Sequence, residues 1–290
     1  MEAALLKRES ERGLTFSFMD RRLDLNGRAA VIGILNVTPD SFYDGGRHPA
    51  VRSAVEHACR LAEEGAAIID VGGESTRPGA RAVQADEERA RVVPVIRRLV
   101  ERISVPVSID TMKAEVAEAA LSAGASIVND VSALTHDPDM AEVVARRGAG
   151  VILMHMRGTP ETMQKDPRYG SVVEEVLEYL EERVEYALSR GIELERIAVD
   201  PGIGFGKRLR HNLEIIRRIG AFAGIGRPVV AGPSRKSFIG EVLSVPIEER
   251  LMGTAAAVAL AVAGGARMVR VHDVGPMCQV VRMAETIAGC

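Results

Sequence analysis

Residues 105–130, VPVSIDTMKAEVAEAALSAGASIVND, hold the pattern that decides the fold. An apolar run of strand length meets Asp110, a helix-length segment follows, and a second apolar run meets Asn129 and Asp130. The same punctuation recurs along the chain. VIGIL runs into Asn36, AIID ends at Asp70, GVILM meets His155 and IAV meets Asp200. PVVAGPS reaches Arg235 and Lys236, and ARMV reaches Arg270 and His272. A strand that is apolar to its last residue is buried on both faces, as in a parallel sheet covered by helices. The polar residue at its end then opens onto a site. Eight such strands, starting at about residues 31, 67, 106, 126, 150, 197, 228 and 268, predict a (β/α)8 TIM barrel in the α/β class, with its chemistry on the C-terminal rim.

Length and composition fit one such domain. The chain has 290 residues, 47% hydrophobic and 3% aromatic with no Trp, so its core is aliphatic. The expected division is a peripheral extension over 1–27, a short hairpin closing the barrel bottom, followed by the barrel over 28–290. A net charge of −3 and the lack of a basic block give no reason to expect nucleic acid. Cys59, Cys278 and Cys290 are odd in number and form no CxxC pair, which points to idle thiols in a reducing compartment. MEAALLKRESERGL is too charged for a signal peptide, and the apolar run from Leu251 to Ala266 is shorter than the ~20 residues a bilayer needs. The expectation is a cytoplasmic protein without a membrane segment.

Helical periodicity appears at 51–64, 82–101 and most clearly at 171–190. There Val172, Val173, Val176, Leu177, Leu180, Val184 and Leu188 form one stripe opposite Glu and Arg. The connections NVTPDSFYDGGRHP, GGESTRPGAR and PGIGFGKRLR are long and rich in Gly and Pro, as lids and pocket loops are.

Several motifs are excluded. GIGFGK is not a phosphate loop, because Pro201 stands where the first Gly belongs and Arg208 follows Lys207. Lys207 also occupies the third Gly position of a dinucleotide fingerprint. HExxH, CxxC and GxSxG are absent. What remains is a constellation of strand ends. Asp110, Asn129, Asp200 and Lys236 can face one cavity, where two carboxylates suit adjacent N–H donors of an amino-pyrimidinone ring. An amide can donate and accept, and a lysine can meet a ring carbonyl. Each alone could be a helix cap or an internal ion pair. Arg270 and His272 share one strand face and suit phosphate, the alternative being an Arg270 pair with Asp273. Asn36 offers a neutral oxygen of the kind magnesium accepts. His155 reads more readily as a satisfied polar residue behind the site than as a catalyst. Met154 and Phe205 are pocket walls or plain core.

Placed in order, GILNVTPDSFYDGG, IIDVGGESTRPGA, VSIDTMKAEVAEAAL, GASIVNDVSAL, VILMHMRGTPETMQ, VDPGIGFGK, GPSRKSFIG and RVHDV make the chain resemble the dihydropteroate synthase family from Val31 to Val274. The resemblance implies condensation of 6-hydroxymethyl-7,8-dihydropterin diphosphate with 4-aminobenzoate to give 7,8-dihydropteroate and diphosphate. It implies a pterin pocket of Asp110, Asn129, Met154, Asp200 and Lys236, with Arg270 stacked on the ring. Asn36, Thr76, Arg77, Arg270 and His272 are implied for the diphosphate, with Mg2+ at Asn36. Phe42, Thr76, Pro78, Phe205 and Ser237 are implied for 4-aminobenzoate, where sulfonamides compete, and Asp110, Lys236, Arg270 and His272 for catalysis. A homodimer through the late helices is implied as well. Tyr43 and Ile203 depart from commoner Ser and Phe without removing a role.

The difficult step in that reaction is loss of diphosphate from the pterin methylene carbon, so a dissociative substitution is expected, with the first two loops excluding water. Two other readings compete. A corrinoid-linked methyltransferase would keep the pterin-reading acids but has no use for NVTPDSF and ESTRPG. A degenerate paralogue would have lost Asn36, Arg77, Lys236, Arg270 or His272, and all five are present.

Overall fold

Period-two alternation along short parallel strands builds the molecule. The computed structural model describes residues 13–37, 47–75, 79 and 82–289. Within them an antiparallel hairpin, β1 (Thr15–Phe18) and β2 (Arg21–Asp24), precedes the barrel. The barrel strands are β3 (Ala30–Asn36), β4 (Ile68–Gly72), β5 (Val107–Asp110), β6 (Ile127–Asp130), β7 (Gly150–Met154), β8 (Ile197–Asp200), β9 (Val230–Ala231) and β10 (Met268–Val271). They pair in parallel in the order β8-β7-β6-β5-β4-β3-β10-β9, and a parallel bridge from Val199 to Val229 brings the two ends together. The chain is therefore the (β/α)8 barrel that its strand punctuation predicts.

The outer helices are α1 (Arg47–Glu63), α2 (Ala85–Val100), α3 (Ala114–Ser122), α4 (Met140–Arg147), α5 (Val172–Ser189), α6 (Leu209–Arg217), α7 (Ser237–Leu243), α8 (Leu251–Ala263) and α9 (Val274–Ala288). Outward strand residues such as Val31, Ile69, Ile109, Val128, Leu153, Val199 and Val269 pack under them in one apolar layer. The α5 stripe differs from expectation at its end. Val173, Val176, Leu180, Val184 and Ala187 are buried, whereas Leu188 is 42% exposed. At 3.6 residues per turn the core-facing line reaches Ala187, and Leu188 has rotated past it.

Inward residues form a second cluster at the N-terminal end: Ala30, Ile32, Ile68, Ile127, Ile152, Ala198, Val230 and Met268. Phe16, Phe18 and Leu25 from the hairpin join this cluster, so the hairpin plugs the barrel with its two aromatic rings. Arg196 Nη1 fastens the plug by donating to the carbonyl of Met19 at 3.0 Å and to that of Gly148. On β4, β6, β8 and β10 the next inward position, two residues on, is polar, whereas β7 keeps an apolar Met154 there.

Candidate functional site

Stepping two residues up from the apolar layer turns Ile68 into Asp70, Ile127 into Asn129, Ile152 into Met154, Ala198 into Asp200 and Met268 into Arg270. Asp110 follows Ser108 in the same register on β5. The C-terminal mouth of the barrel is thus a polar layer resting on an apolar one. Asp70, Asp110, Asn129 and Asp200 are all buried, and Arg270 and Lys236 are half-buried.

Arg270 organises this layer. Its Nε donates to Asp70 Oδ2 at 2.6 Å and its Nη2 to Asp110 Oδ2 at 2.7 Å. Asn129 Nδ2 donates to the same Asp70 oxygen at 3.0 Å. Asp70 Oδ1 and Asp110 Oδ1 are buried and have no hydrogen-bond partner among the described residues. The Arg270–Asp273 alternative is replaced: Asp273 pairs instead with Arg235, whose Nε donates to Oδ2 at 2.9 Å. The strand alternation explains this, since Arg270 points into the barrel while Asp273 lies beyond β10 at the start of α9.

Lys236 enters from the N-terminus of α7. A β-carbon placed on Gly232, the inward position after β9, would lie 3.8 Å from Lys236 Nζ and 3.9 Å from Asp200 Oδ2. Gly232 therefore borders both charged groups. Lys236 Nζ also donates to the carbonyl of Ile203 and sits 4.4 Å over the Phe205 ring centroid. Asp200 Oδ1 accepts from the Gly202 N–H at 2.7 Å. Phe205 and Met154 belong to one apolar cluster with Val131 and Met163, forming a wall above the polar layer.

Burial governs the electrostatics. It pushes the Asp110 carboxyl up to about 7, against the pull of Arg270 and with the help of Asp70, Glu88 and Asp130. It raises Asp200 as well, opposed by Lys236. Burial pushes Lys236 down to about 7, with Asp200 pulling it back up and Arg270 lowering it further. Groups titrating close to neutrality in a cleft are suited to a site that binds and releases charge.

At the rim, Asn36 ends β3 next to this layer. A β-carbon on Gly72 would lie 3.8 Å from Asn36 Oδ1 and 3.7 Å from Asp110 Oδ2. His272 Nδ1 is 3.0 Å from Ser234 Oγ. Ser237 is exposed on the first turn of α7 and lines a groove of about 660 Å³ with Gln164, Lys207, Arg208, Asn212 and Glu241. Phe42, Thr76, Arg77 and Pro78 lie outside the described residues.

Two features escape a reading of single strand ends. Asp70 is the hub for both Arg270 and Asn129, and its place at the end of AIID was the available signal. Lys113 Nζ lies 2.5 Å from Glu88 Oε2 and bonds Glu74, whose Oε1 accepts from the Val83 N–H at 3.0 Å. This partly buried cluster joins the two ends of the second loop, and its members stand too far apart in sequence to form a motif.

The pterin-binding enzyme family matches residues 32–272. A dihydropteroate synthase of Synechocystis sp. is 45% identical over 265 residues, covering 91% of this chain and 92% of that one. The chain belongs to the dihydropteroate synthase family. Yersinia pestis dihydropteroate synthase, solved in a sulfonamide drug complex, superposes with a TM-score of 0.90 at 39% identity, covering 96% of this chain and 100% of that one. The Xanthomonas albilineans family member, solved with 4-aminobenzoic acid, gives 0.89 at 44% identity over 96% and 99% of the two chains.

Proposed function

We infer that the chain transfers a pterinylmethyl group, joining 6-hydroxymethyl-7,8-dihydropterin diphosphate to 4-aminobenzoate in folate biosynthesis. The observation that carries this reading is the buried Asp110 Oδ1, which has no hydrogen-bond partner among the described residues. A buried acceptor without a donor is costly, so it calls for a ligand that brings one. Adjacent N–H donors on a pterin edge supply it, with Asp200, Asn129 and Lys236 reading the remaining donors and carbonyl. Hydrogen bonds to two carboxylates fix the plane of the Arg270 guanidinium, leaving its face to stack on the ring. Met154 supplies an apolar wall.

The Xanthomonas albilineans relative holding 4-aminobenzoic acid supports the second substrate. Phe42, Thr76, Pro78, Phe205 and Ser237 form its pocket, which is also where a sulfonamide would compete. Asn36, Thr76, Arg77, Arg270 and His272 take the diphosphate. Asn36 Oδ1 fits Mg2+, because that ion favours oxygen and uses few protein groups beside substrate phosphates. When bound it neutralises charge on the leaving diphosphate.

The substitution is dissociative. The C–O bond to the methylene breaks and its electron pair leaves with diphosphate, which Arg270 and His272 stabilise. Positive charge spreads over the methylene and the pterin ring, near Asp110 and Asp200. The neutral aryl amine then forms the C–N bond and gives its proton to water. Preorganised charge supplies most of the rate.

A homodimer is supported by exposed Met252 and Leu260 on α8 and Met283 and Ile287 on α9, apolar residues on two helices at the end of the barrel. A cytoplasmic setting is supported by the free thiols of Cys59 and Cys278. No helix among the described residues is long and apolar enough to cross a membrane.

Mass spectrometry of the product formed from both substrates with Mg2+ tests the reaction. One dihydropteroate per diphosphate is expected. Pterin binding without product would point to a degenerate paralogue and overturn the reading.

A further inference from the structure

Lys207 stands behind the site, 3% exposed, at the end of the loop that follows β8. Its Nζ lies 2.9 Å from His155 Nδ1 and donates to the Phe205 carbonyl at 3.0 Å. His155 is itself fixed: its backbone N–H donates to the Asp200 carbonyl at 2.9 Å, and its ring meets the Tyr179 ring edge-on at 4.9 Å. The loop is threaded tightly between these anchors and Lys236. Gly202 has φ +68° and a β-carbon there would be 1.9 Å from the His155 carbonyl oxygen. Gly204 has φ +85° and its β-carbon would be 2.7 Å from Lys236 Cδ. Only glycine tolerates both the left-handed backbone and the close approach.

The same loop carries the two groups that hold Lys236, the Ile203 carbonyl and the Phe205 ring. Its shape is therefore set from behind by one lysine and read out in front by another. Burial drives the Lys207 amine well below the ordinary lysine range, and such a group is a poor device for stability alone, since an apolar side chain of similar length avoids the desolvation. What the lysine provides that an apolar chain cannot is a directional tie between the end of β7 and the middle of the loop.

We propose that Lys207 is a positioning residue for this reaction: pinned by His155, it fixes loop 201–207 so that Ile203 and Phe205 seat Lys236 and shape the aminobenzoate end of the site. The proposal rests on the functional reading above.

Lys207→Met keeps length and removes the donors. Its KM for 4-aminobenzoate should rise about tenfold or more, because small misplacement of a pocket wall is expensive. Its thermal midpoint should stay within a few degrees of the wild type or rise. A folded Lys207→Met with wild-type KM and kcat overturns the proposal, as does a variant that loses thermal stability while both constants stay put. Should Lys207→Met fail to fold, His155→Leu and His155→Gln are compared. Leu should raise the same KM and Gln, whose amide oxygen accepts from the lysine, should restore it; equal constants in both overturn the proposal. Labelling of Lys236 by an amine-reactive reagent, read by mass spectrometry, needs no turnover. It should be about threefold faster in Lys207→Met as the seat loosens. An unchanged labelling rate rejects the positioning role, whereas a wild-type protein that makes no dihydropteroate rejects the functional reading instead.

Discussion

Arg270 and Asp110 are joined over the barrel mouth, Nη2 to Oδ2 at 2.7 Å, while the second oxygen of Asp110 is buried with no partner among the described residues. With Asp70, Asp200 and Lys236 the ionised layer carries three carboxylates against two cations. That leaves an excess of negative charge where a cationic methylene would develop, so the arrangement suits departure of an anion from the ligand.

Asp110→Asn keeps size but loses the charged acceptor. Its kcat/KM for the pterin substrate should fall roughly 10- to 100-fold, from about 1.5–3 kcal/mol for a hydrogen bond to a charged group. The wild-type pH profile should show the same residue. Because burial raises this carboxyl to about 7, it holds its proton below that pH and pterin affinity should weaken as pH falls through 7. The sign for stability is opposite: charging a buried carboxyl costs, so its contribution to the unliganded fold is lost as pH rises through 7. Asp110→Asn should flatten both trends. Unchanged kinetics would remove Asp110 from the site.

Asp70→Ala should destabilise the fold more than it alters substrate specificity. It leaves the Arg270 Nε and the Asn129 amide without their shared acceptor. Breaking one partner from a buried ion pair costs about 3–5 kcal/mol, measurable by denaturant unfolding. A double-mutant cycle with Arg270→Met should show strong coupling, and additive losses would contradict the hub role.

His155 makes a prediction of its own. Burial, aided by the Lys207 charge, holds the ring neutral down to about 2. A depressed histidine stabilises the fold above its unfolded pKa of 6.5 and loses that contribution as pH falls from 6.5 toward 2. The loss per pH unit is at most about 1.4 kcal/mol, one proton's worth. His155→Gln should reduce the acid slope of unfolding free energy by about one proton between pH 6 and 4; an identical slope would show that the ring protonates freely.

Leu260→Glu and Met283→Glu place charge on the exposed apolar faces of α8 and α9. Sedimentation should show a dimer for the wild type and a monomer for these variants, with the barrel still folded. A wild-type protein that sediments as a monomer would end the dimer assignment.

The barrel was legible because each strand carries its own evidence: an apolar run has to be buried, and a polar residue at its end has to face something. Those two facts located the eight strands and placed Asp110, Asn129, Asp200 and Arg270 on one rim. The identity of Arg270's partners was not legible. Asp273 is three residues away and Asp70 two hundred, yet only the inward register of β4 and β10 brings the distant carboxylate within 2.6 Å. The Lys207–His155 tie escaped for the same reason. The two positions lie 52 residues apart, and neither reveals that loop 201–207 folds back over the end of β7.

The most direct measurement is diphosphate release by the purified protein from dihydropterin diphosphate and Mg2+, with and without 4-aminobenzoate, with the pterin product identified. The account predicts fast release coupled one-to-one to dihydropteroate when 4-aminobenzoate is present. Pterin binding with neither release nor dihydropteroate would contradict it.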